Sequence, residues 1–375
     1  MRTTTALSYF SAEVLGFLSS FRRRAWRAHA VQYALGLVLL VRFRSVSELA
    51  RRMGEQAVDA LHHFLHDSPW SEGWAVWQQY ATIAERVRAT GERIRLILDD
   101  TPVERAGPHI EGLGIHHSAK GLIRGQCAVT AVVKAGALTL AWAVRGYVPK
   151  GACGPGEFQS KVELALAILW PAQALGEGVT VLLDSWYACK KILNRIAGYG
   201  WRYVAAIKCN RVVWVGNRKT NVRHLAKGPR QYERVKLSRR RTVWVAKCRV
   251  MLPGIGAVAL FITKLDGGVK FLVSNDLELA PADAVREYAV RFSIETFHRD
   301  LKQHLGFGEL WCRSWRAVQR HWILCQAAYN ALQFWNASRP PRCRCKTFGQ
   351  TVRAFRAAVR EDDAVRWCRR YAEAA

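Results

Sequence analysis

The sequence predicts a mixed α/β protein in which helical regions flank a sheet, and a strand-rich insertion interrupts that sheet. Two apolar segments, IRLILDD at 94–100 and GVTVLLD at 178–184, predict buried strands that each end in an acid. Short alternating runs between 211 and 275, broken by Gly, Asn and Arg, predict antiparallel strands. The helical period of 281–305 predicts a helix after the last of these strands.

The N-terminal region, residues 1–92, has the pattern of several short helices. In RSVSELARRMG we expect Ser45 to begin a helix, with Glu48 completing a capping box and Gly54 ending it. The region would form one domain that recognises a partner. The pattern does not separate a helix-turn-helix from any other three-helix arrangement.

The order of elements from 93 to 210 is strand, strand, strand, helix, strand, helix, strand, which predicts a mixed α/β layer. The second and third strands form a hairpin that turns at KAGA, and we expect His116 and His117 in a loop before it. This segment and residues 276–310 would together form one core, which the insertion at 211–275 divides.

The segment YAVRFSIETFHRDLKQHLG, residues 288–306, predicts an amphipathic helix. An α-helix turns about 100° per residue, so offsets of three, seven and fourteen put four functional side chains on one stripe. These are Tyr288, Arg291, Glu295 and Lys302. The opposite, apolar side contains Ile294, Phe297, Leu301 and Leu305. A solvated face with ordinary ion pairs is the alternative interpretation.

The C-terminal region, residues 311–375, is rich in Arg and has a helical period that is interrupted at SRPPRCRC. Ten cysteines are scattered along the chain without a CxxC pair. We therefore expect free thiols in a reducing compartment rather than a zinc site at Cys343 and Cys345, which lack a second pair at suitable spacing.

The charge of the chain predicts a polyanionic partner. The sequence has 57 Lys and Arg against 29 Asp and Glu, a formal net charge of +28. Self-repulsion of this size destabilises a compact protein unless a polyanion is bound. Nucleic acid is the first expectation and an anionic membrane surface the second. We predict no membrane span and a cytoplasmic location, because no apolar run reaches roughly 18 residues and no secretory signal is recognisable.

Carboxylates at three places in the chain predict a metal site. Asp99 and Asp100 end one buried strand, Asp184 ends another, and Glu295 lies on the stripe of the late helix. Buried carboxylates are costly unless they are paired or bind metal. Grouped carboxylate oxygens suit Mg²⁺ or Mn²⁺, and two such ions support phosphodiester chemistry. Helix caps or turn residues are the ordinary alternative for a strand-end Asp.

The stripe at 288–302 matches a known motif. Tyr, two residues, Arg, three residues, Glu, six residues and Lys is the YREK motif, and the chain resembles the bacterial insertion-sequence DDE transposases that carry it. The blocks LDDT at 98–101, LLDSWYACKKIL at 182–193 and FLVSND at 271–276 also resemble that group. The resemblance implies an RNase H-like sheet whose first and fourth strands lie side by side, with two metal ions at their acidic ends.

The resemblance also implies roles for individual residues. Asp100, Asp184 and Glu295 would be the catalytic metal ligands, with Asp99 as the competitor of Asp100. Five further residues would bind DNA phosphates. For two of them, Lys208 and Arg211 in the segment IKCNR, the alternative interpretation is ordinary surface charge. The DNA-binding set is Tyr288, Arg291, Lys302, Lys208 and Arg211.

The expected function is cleavage of element ends and joining of the freed 3′-hydroxyl to target DNA by a homodimer bound to terminal inverted repeats. A catalytically silent DNA-binding protein and a stand-alone RNase H-like nuclease are the alternatives. We expect satisfied or solvated histidine at His298. For Trp186 we expect core packing, with stacking on an unpaired base as the alternative; for Trp311 both interpretations stay open.

Overall fold

The computed structural model describes residues 3–40, 45–53, 58–107, 109–118, 121–238, 241–265 and 268–374. Gly54, the expected helix end, lies outside these ranges. The N-terminal region contains helices, as predicted: α1 (Thr3–Phe17), α2 (Arg24–Leu39), α3 (Val46–Arg52), α4 (Val58–His66) and α5 (Glu72–Arg88).

The expected cap at Ser45 is confirmed, since its hydroxyl accepts a hydrogen bond from the Glu48 N–H at 3.1 Å. A second cap fixes the start of α5, where the Ser71 hydroxyl accepts from the Trp74 N–H at 3.2 Å. These bonds satisfy N–H groups that have no partner within the helix. None of the helices in the part of the chain described is long and apolar enough to cross a membrane.

Residues 93–210 form the predicted strands and helices and one strand more than predicted, which lies between the first strand and the hairpin. They are β1 (Ile94–Glu104), β2 (Gly114–Ser118), β3 (Gly121–Ala135), β4 (Leu138–Tyr147), α6 (Lys161–Leu169), β5 (Thr180–Leu183), α7 (Lys190–Gly198) and β6 (Arg202–Ile207). The β3–β4 hairpin is confirmed, with Gly136 at a φ of 55° in its turn. The expectation that His116 and His117 lie in a loop is wrong, because both residues belong to β2, which pairs with β3.

The strand order of this core is β4-β3-β1-β5-β6. β1 is antiparallel to β3 and parallel to β5, and β5 is parallel to β6. The first and fourth predicted strands, β1 and β5, therefore lie side by side. Their central residues, including Leu98 and Leu183, are fully buried. The prediction that the first strand ends in an acid is wrong, because β1 continues past Asp99 and Asp100 to Glu104, whereas β5 does end just before Asp184. The pairing still brings Asp99 of β1 beside the acidic end of β5.

The insertion is antiparallel, as predicted, and extends the same sheet. It contains β7 (Val212–Val215), β8 (Arg218–Asn221), the short helix α8 (Val222–Leu225), β9 (Glu233–Ser238), β10 (Arg241–Leu252), β11 (Gly256–Leu265) and β12 (Gly268–Ser274). β12 pairs with β6, so the order continues as β6-β12-β11-β10. The insertion therefore forms a rigid continuation of the core sheet.

The amphipathic segment forms two helices rather than the single one expected. They are α9 (Pro281–Val290) and α10 (Phe292–His304). At the junction, the Arg291 N–H bonds to the Tyr288 carbonyl and the Ile294 N–H to the Arg291 carbonyl, a three-residue spacing that tightens the turn. Both helices stay close in direction, because Arg291 keeps right-handed helical dihedral angles (φ −53°, ψ −32°).

Two contacts fix α9 and α10 over β1. The Glu287 carboxylate on α9 accepts hydrogen bonds from Arg93 at 2.7 Å and from Arg95 at 2.7 Å. The apolar side predicted for α10 is confirmed, because its members are fully buried: Ile294, Phe297, Leu301 and Leu305. The polar stripe is consequently held facing the strand ends.

The C-terminal region is helical, as predicted, with α11 (Trp315–Ser338), α12 (Phe348–Ala358) and α13 (Glu361–Ala374). α11 is largely buried and packs against β4, α1 and α2. Two of its amide side chains bond to the backbone of β4 beside a bulge in the β3–β4 register. Asn330 accepts from the Ala141 N–H at 2.8 Å, and Gln326 donates to the Trp142 carbonyl at 3.0 Å. α11 thus joins the N-terminal helices to the sheet.

Candidate active site

Acidic side chains of β1 and β5 meet at one edge of the sheet. Leu98 on β1 is paired with Leu183 on β5, so Asp99 and Asp184 follow at neighbouring positions. A tight turn fixes Asp184, whose Oδ1 accepts hydrogen bonds from the backbone N–H groups of Trp186 and Tyr187, each at 3.0 Å. The Asp184 carboxylate is therefore positioned before any ligand arrives.

The two acids in the middle of β1 have different surroundings, because successive side chains of a strand point to opposite faces. The Asp100 carboxylate contacts Lys161 of α6 at 2.6 Å, the Tyr187 hydroxyl at 3.2 Å and the Cys127 thiol at 3.4 Å. The Asp99 carboxylate instead contacts Arg291, at 3.1 Å, at the start of α10. Asp99, rather than Asp100, faces the helix that carries Glu295.

Arg291 links two of the acids. Its guanidinium contacts Asp99 through Nη1 and Glu295 through Nη2. It also lies 5.7 Å from the centre of the Tyr288 ring. The fourth residue of the stripe, Lys302, donates to the carbonyl of Pro102, further along β1, at 2.8 Å. The structure therefore places the stripe beside the acidic part of β1.

The pKa values of Asp99 and Asp184 are raised because both carboxylates are buried and lie among other negative charges. Burial, reinforced by the neighbouring charge of Asp184, raises the pKa of Asp99 to about 7, and these effects outweigh its contact with Arg291. Burial also raises the pKa of Asp184, against the lowering effect of the two backbone hydrogen bonds from Tyr187 and Trp186. Buried carboxylates with raised pKa values have lost hydration that a cation can replace.

Oxygen is the available donor type at this edge, which fits hard divalent cations such as Mg²⁺ and Mn²⁺. Within the ranges that the structure describes, however, no three His, Cys, Asp or Glu side chains are grouped closely enough to hold a metal ion. Asp99 and Asp184 come from adjacent strands, whereas Glu295 is paired with Arg291. A three-carboxylate ligand set therefore requires Glu295 to leave Arg291.

A groove of 300 Å³ runs from the stripe towards the insertion. Tyr288, Arg291 and Glu295 line one side, while Arg241 of β10 and Lys270 of β12 contribute positive charge from the insertion. Sequence patterns could not identify the latter two, because only the folded sheet brings them beside α9 and α10. The same is true of Lys161, which reaches Asp100 from α6.

Lys208 and Arg211 do not join the acidic cluster. They line a separate cleft of 560 Å³ next to the Asp184 turn, together with Trp186. The prediction that Trp186 packs in the core is wrong, because its side chain is 45% exposed. Trp311 is also not a core residue, at 81% exposed.

The expectation of a satisfied histidine is confirmed at His298. His298 is buried with its ring nitrogen 2.7 Å from the Thr130 hydroxyl, and burial lowers its pKa to about 3. His116 is buried beside the Gly125 carbonyl at 3.2 Å. No disulfide joins the ten cysteines, all of which lie within the described ranges. The His298 and His116 side chains are satisfied parts of the fold.

Comparison with known families adds one finding. A family model described as DDE superfamily endonuclease matches residues 16–252, more than half of the chain. The match includes the acidic ends of β1 and β5 and stops at the end of β10, before α9 and α10. The comparison with curated proteins found no match.

Proposed function

This chain belongs to the DDE superfamily endonucleases, and from that premise we propose that it is a DNA transposase of the group with the Tyr-Arg-Glu-Lys motif. It would cut the ends of an insertion sequence and join the freed 3′-hydroxyl to target DNA, with two protomers acting on paired inverted repeats. The observation that carries the proposal is that Arg291 forms ion pairs with both Asp99 and Glu295. Asp99 also lies close enough to Asp184 for the charge of Asp184 to raise its pKa.

The topology supports an RNase H-like core for this enzyme. Strand β3 lies between β1 and β4 and is antiparallel to both, and β5 and β6 run parallel to β1 on its other side. This arrangement agrees with the expectation that the first and fourth core strands deliver two acids to one edge. The long interval between Asp184 and Glu295 is occupied by the insertion, which extends the sheet without separating β1 from α10.

We propose Asp99, Asp184 and Glu295 as the ligands of one or two Mg²⁺ or Mn²⁺ ions. Asp100, the first choice from sequence, is the alternative to Asp99. The contacts favour Asp99, because it faces α10, whereas the Asp100 carboxylate is bonded to Lys161 and Tyr187. When bound, such ions would polarise the scissile phosphate and lower the pKa of an attacking water.

The basic residues of the stripe would bind and orient the DNA strand. A phosphate competes with Glu295 for the Arg291 guanidinium, since bidentate phosphate contacts suit arginine. Transfer of Arg291 to the phosphate would free Glu295 to join the other acids. Lys302, held by the Pro102 carbonyl at 2.8 Å, and Tyr288 would contact neighbouring phosphates. Positioning and charge neutralisation would then supply much of the catalysis.

The test uses a supercoiled plasmid that carries the gene with its native flanking DNA. We expect Mg²⁺-dependent nicks at the element ends, with 3′-hydroxyl products that are joined to a second plasmid. Asp184→Asn and Glu295→Gln should reduce nicking by about 10³-fold or more, because each removes a charge needed for the transition state. Asp99→Asn should have the same effect, whereas Asp100→Asn should retain measurable cleavage.

The outcomes separate the alternatives. A folded wild-type protein that binds the element ends but never nicks them would make it a DNA-binding protein. Nicking without joined products would favour a stand-alone nuclease. Loss of cleavage in Asp100→Asn, with activity kept in Asp99→Asn, would reverse the assignment of the first acid.

A further inference from the structure

A chain of hydrogen bonds leads from α6 to the backbone that holds Asp184. The Asp100 carboxylate, on the face of β1 opposite to Asp99, accepts from the Lys161 ammonium at 2.6 Å through one oxygen. Its other oxygen accepts from the Tyr187 hydroxyl at 3.2 Å. The Tyr187 N–H in turn donates to the Asp184 carboxylate at 3.0 Å. Tyr187 therefore connects the contacts of Asp100 to a proposed metal ligand.

The side chains of this chain of bonds are largely shielded from water. Tyr187 is fully buried, and the side chains of Lys161 and Asp100 are 17% and 20% exposed. The Lys161 ammonium also lies 5.3 Å from the centre of the Tyr147 ring. A buried hydroxyl or carboxylate that loses its partner pays the cost of desolvation without compensation. The three side chains are therefore held in one arrangement.

The start of α6 fixes the position of Lys161, its first residue. A capping box precedes it, in which the Ser160 hydroxyl accepts from the Glu163 N–H at 3.3 Å. The Glu163 carboxylate accepts from the Ser160 N–H at 2.7 Å. These reciprocal bonds secure the first turn of the helix. The cation that contacts Asp100 is consequently supplied by an ordered helix end rather than by a loop.

We propose that these three residues position the metal ligand Asp184 without contacting the metal or the DNA. Lys161 holds the Asp100 carboxylate, and Asp100 holds the Tyr187 ring. The backbone of Tyr187 then keeps the Asp184 carboxylate in the orientation that a cation requires. The inference rests on the proposed function only in treating Asp184 as a metal ligand. Outer residues that orient metal ligands typically change metal affinity by about 10- to 100-fold when they are lost.

Tyr187→Phe tests the network, because it removes one hydroxyl and no charge. Hydrogen–deuterium exchange of the DNA-free, metal-free protein should become about fivefold faster or more in the peptide that spans 184–189, since its backbone bonds open more often. The peptide that contains Leu98 should keep its wild-type exchange rate. The Mn²⁺ affinity of the DNA-free variant, measured by electron paramagnetic resonance at pH 8, should fall about tenfold.

A second pair of variants covers the case in which Tyr187→Phe lowers stability throughout the chain. Lys161→Met should accelerate exchange in the 184–189 peptide, whereas Lys161→Arg should keep most of the protection because it retains a cation for Asp100. Lys161→Met combined with Tyr187→Phe should exchange within about twofold of Tyr187→Phe alone, because both changes interrupt one network. Fully additive effects of the two changes would overturn the proposal.

Tyr203→Phe is the matched control. Tyr203 is a buried tyrosine on the neighbouring strand β6, and its hydroxyl has no hydrogen-bond partner among the described residues. This control should leave both exchange in the 184–189 peptide and Mn²⁺ affinity unchanged.

Two results for Tyr187→Phe would overturn the proposal. One is unchanged exchange at the turn. The other is faster exchange with unchanged Mn²⁺ affinity, which would make the hydroxyl a contributor to stability alone. Neither readout requires cleavage, so failure of the proposed function would appear separately as absence of nicks by the wild-type protein in Mg²⁺.

Discussion

Arg291 is the residue on which the DNA-free state of the acidic cluster depends. Its guanidinium contacts the carboxylates of Asp99 and Glu295 together and offsets part of their negative charge. A cation that binds the same carboxylates must compete with this charge, and at short range in a partly buried site that competition is strong. We predict that Arg291→Met raises the Mn²⁺ affinity of the DNA-free protein on the order of tenfold, measured by electron paramagnetic resonance at pH 8.

The control for Arg291→Met is Arg286→Met on the same pair of helices, since Arg286 is exposed and lies 3.6 Å from Asp283, outside the acidic cluster. The control should leave Mn²⁺ affinity unchanged. An Arg291→Met protein with unchanged or weaker Mn²⁺ binding would show that the guanidinium does not compete with metal.

Asp300 on α10 provides a prediction about pH. Burial raises its pKa to about 6, above the value near 4 of an unfolded chain. The folded state therefore binds this proton more tightly than the unfolded state does. The stabilisation of the folded state by the bound proton is lost as the pH rises from 4 through 6. Asp300→Asn should be more stable than the wild type by roughly 1–2 kcal/mol at pH 8.

The measurement for Asp300→Asn is the free energy of unfolding in urea at pH 5 and pH 8, with the exposed Asp283→Asn as control. The advantage of Asp300→Asn should shrink at the lower pH. An advantage that is equal at both pH values, or larger at pH 5, would contradict a raised pKa.

Individual residues also mark the limit of the sequence analysis. The acids of the two neighbouring strands, the stripe and a satisfied His298 could be predicted, because each depends on local periodicity or on residue chemistry. The continuation of β1 to Glu104 was not predicted. The choice between Asp99 and Asp100 could not be predicted, since it depends on which face of β1 receives α10. Trp186 is exposed because its turn leads out of the sheet, a property that its residue type does not reveal.

At the scale of elements, α11 and the α4–α5 connection are joined by one buried arginine. Arg320 is 2% exposed and donates to the Glu72 carboxylate at 2.6 Å. It also donates to the carbonyls of Phe64, Leu65, Ser68 and Trp70. Arg320→Met should lower the free energy of unfolding by roughly 3–5 kcal/mol, because it leaves these acceptors and a carboxylate without their donor.

Urea unfolding of Arg320→Met and Arg320→Lys would check this prediction, with Lys recovering part of the loss. The control is Arg316→Met, one turn earlier on α11, where the side chain is exposed and lies 3.8 Å from Glu72. It should change stability by less than about 0.5 kcal/mol. Equal effects at the two positions would mean that the buried hydrogen bonds do not secure this contact.

Elements themselves were largely predictable, and the differences have physical causes. The helices and strands follow their periods, but α9 and α10 separate at Arg291, where local hydrogen bonds tighten to a three-residue spacing. No change in the amphipathic pattern marks that junction. α11 was expected as part of a basic tail, yet Asn330 and Gln326 bond to β4, a pairing that only the folded chain creates.

At the scale of the whole molecule, charge is concentrated in the insertion. Residues 211–275 contain 15 Lys and Arg against two Asp and Glu, so they hold nearly half of the net charge of +28. Because β12 pairs with β6, this charge is carried rigidly beside the candidate active site. The fold thus supports a DNA path that crosses both the core and the insertion.

Salt dependence tests that path. Arg241→Gln with Lys270→Gln, which removes two charges from the groove at the stripe, should reduce the slope of log affinity against log salt by about 2. Fluorescence anisotropy with a duplex of the element end would measure the slope. Lys191→Gln with Arg195→Gln, which removes two charges from α7, should leave the slope within about 0.5 of the wild-type value. Equal reductions in both double variants would indicate binding without a defined path.

The central claim is that acids from β1, β5 and α10 share divalent cations when DNA is bound. Anomalous diffraction from crystals of the protein with its DNA end and Mn²⁺ tests it most directly. We predict one or two manganese peaks, about 3.5–4 Å apart if two are present, between the carboxylates of Asp99, Asp184 and Glu295. Manganese bound elsewhere, with Glu295 still paired to Arg291 in the DNA complex, would contradict the account.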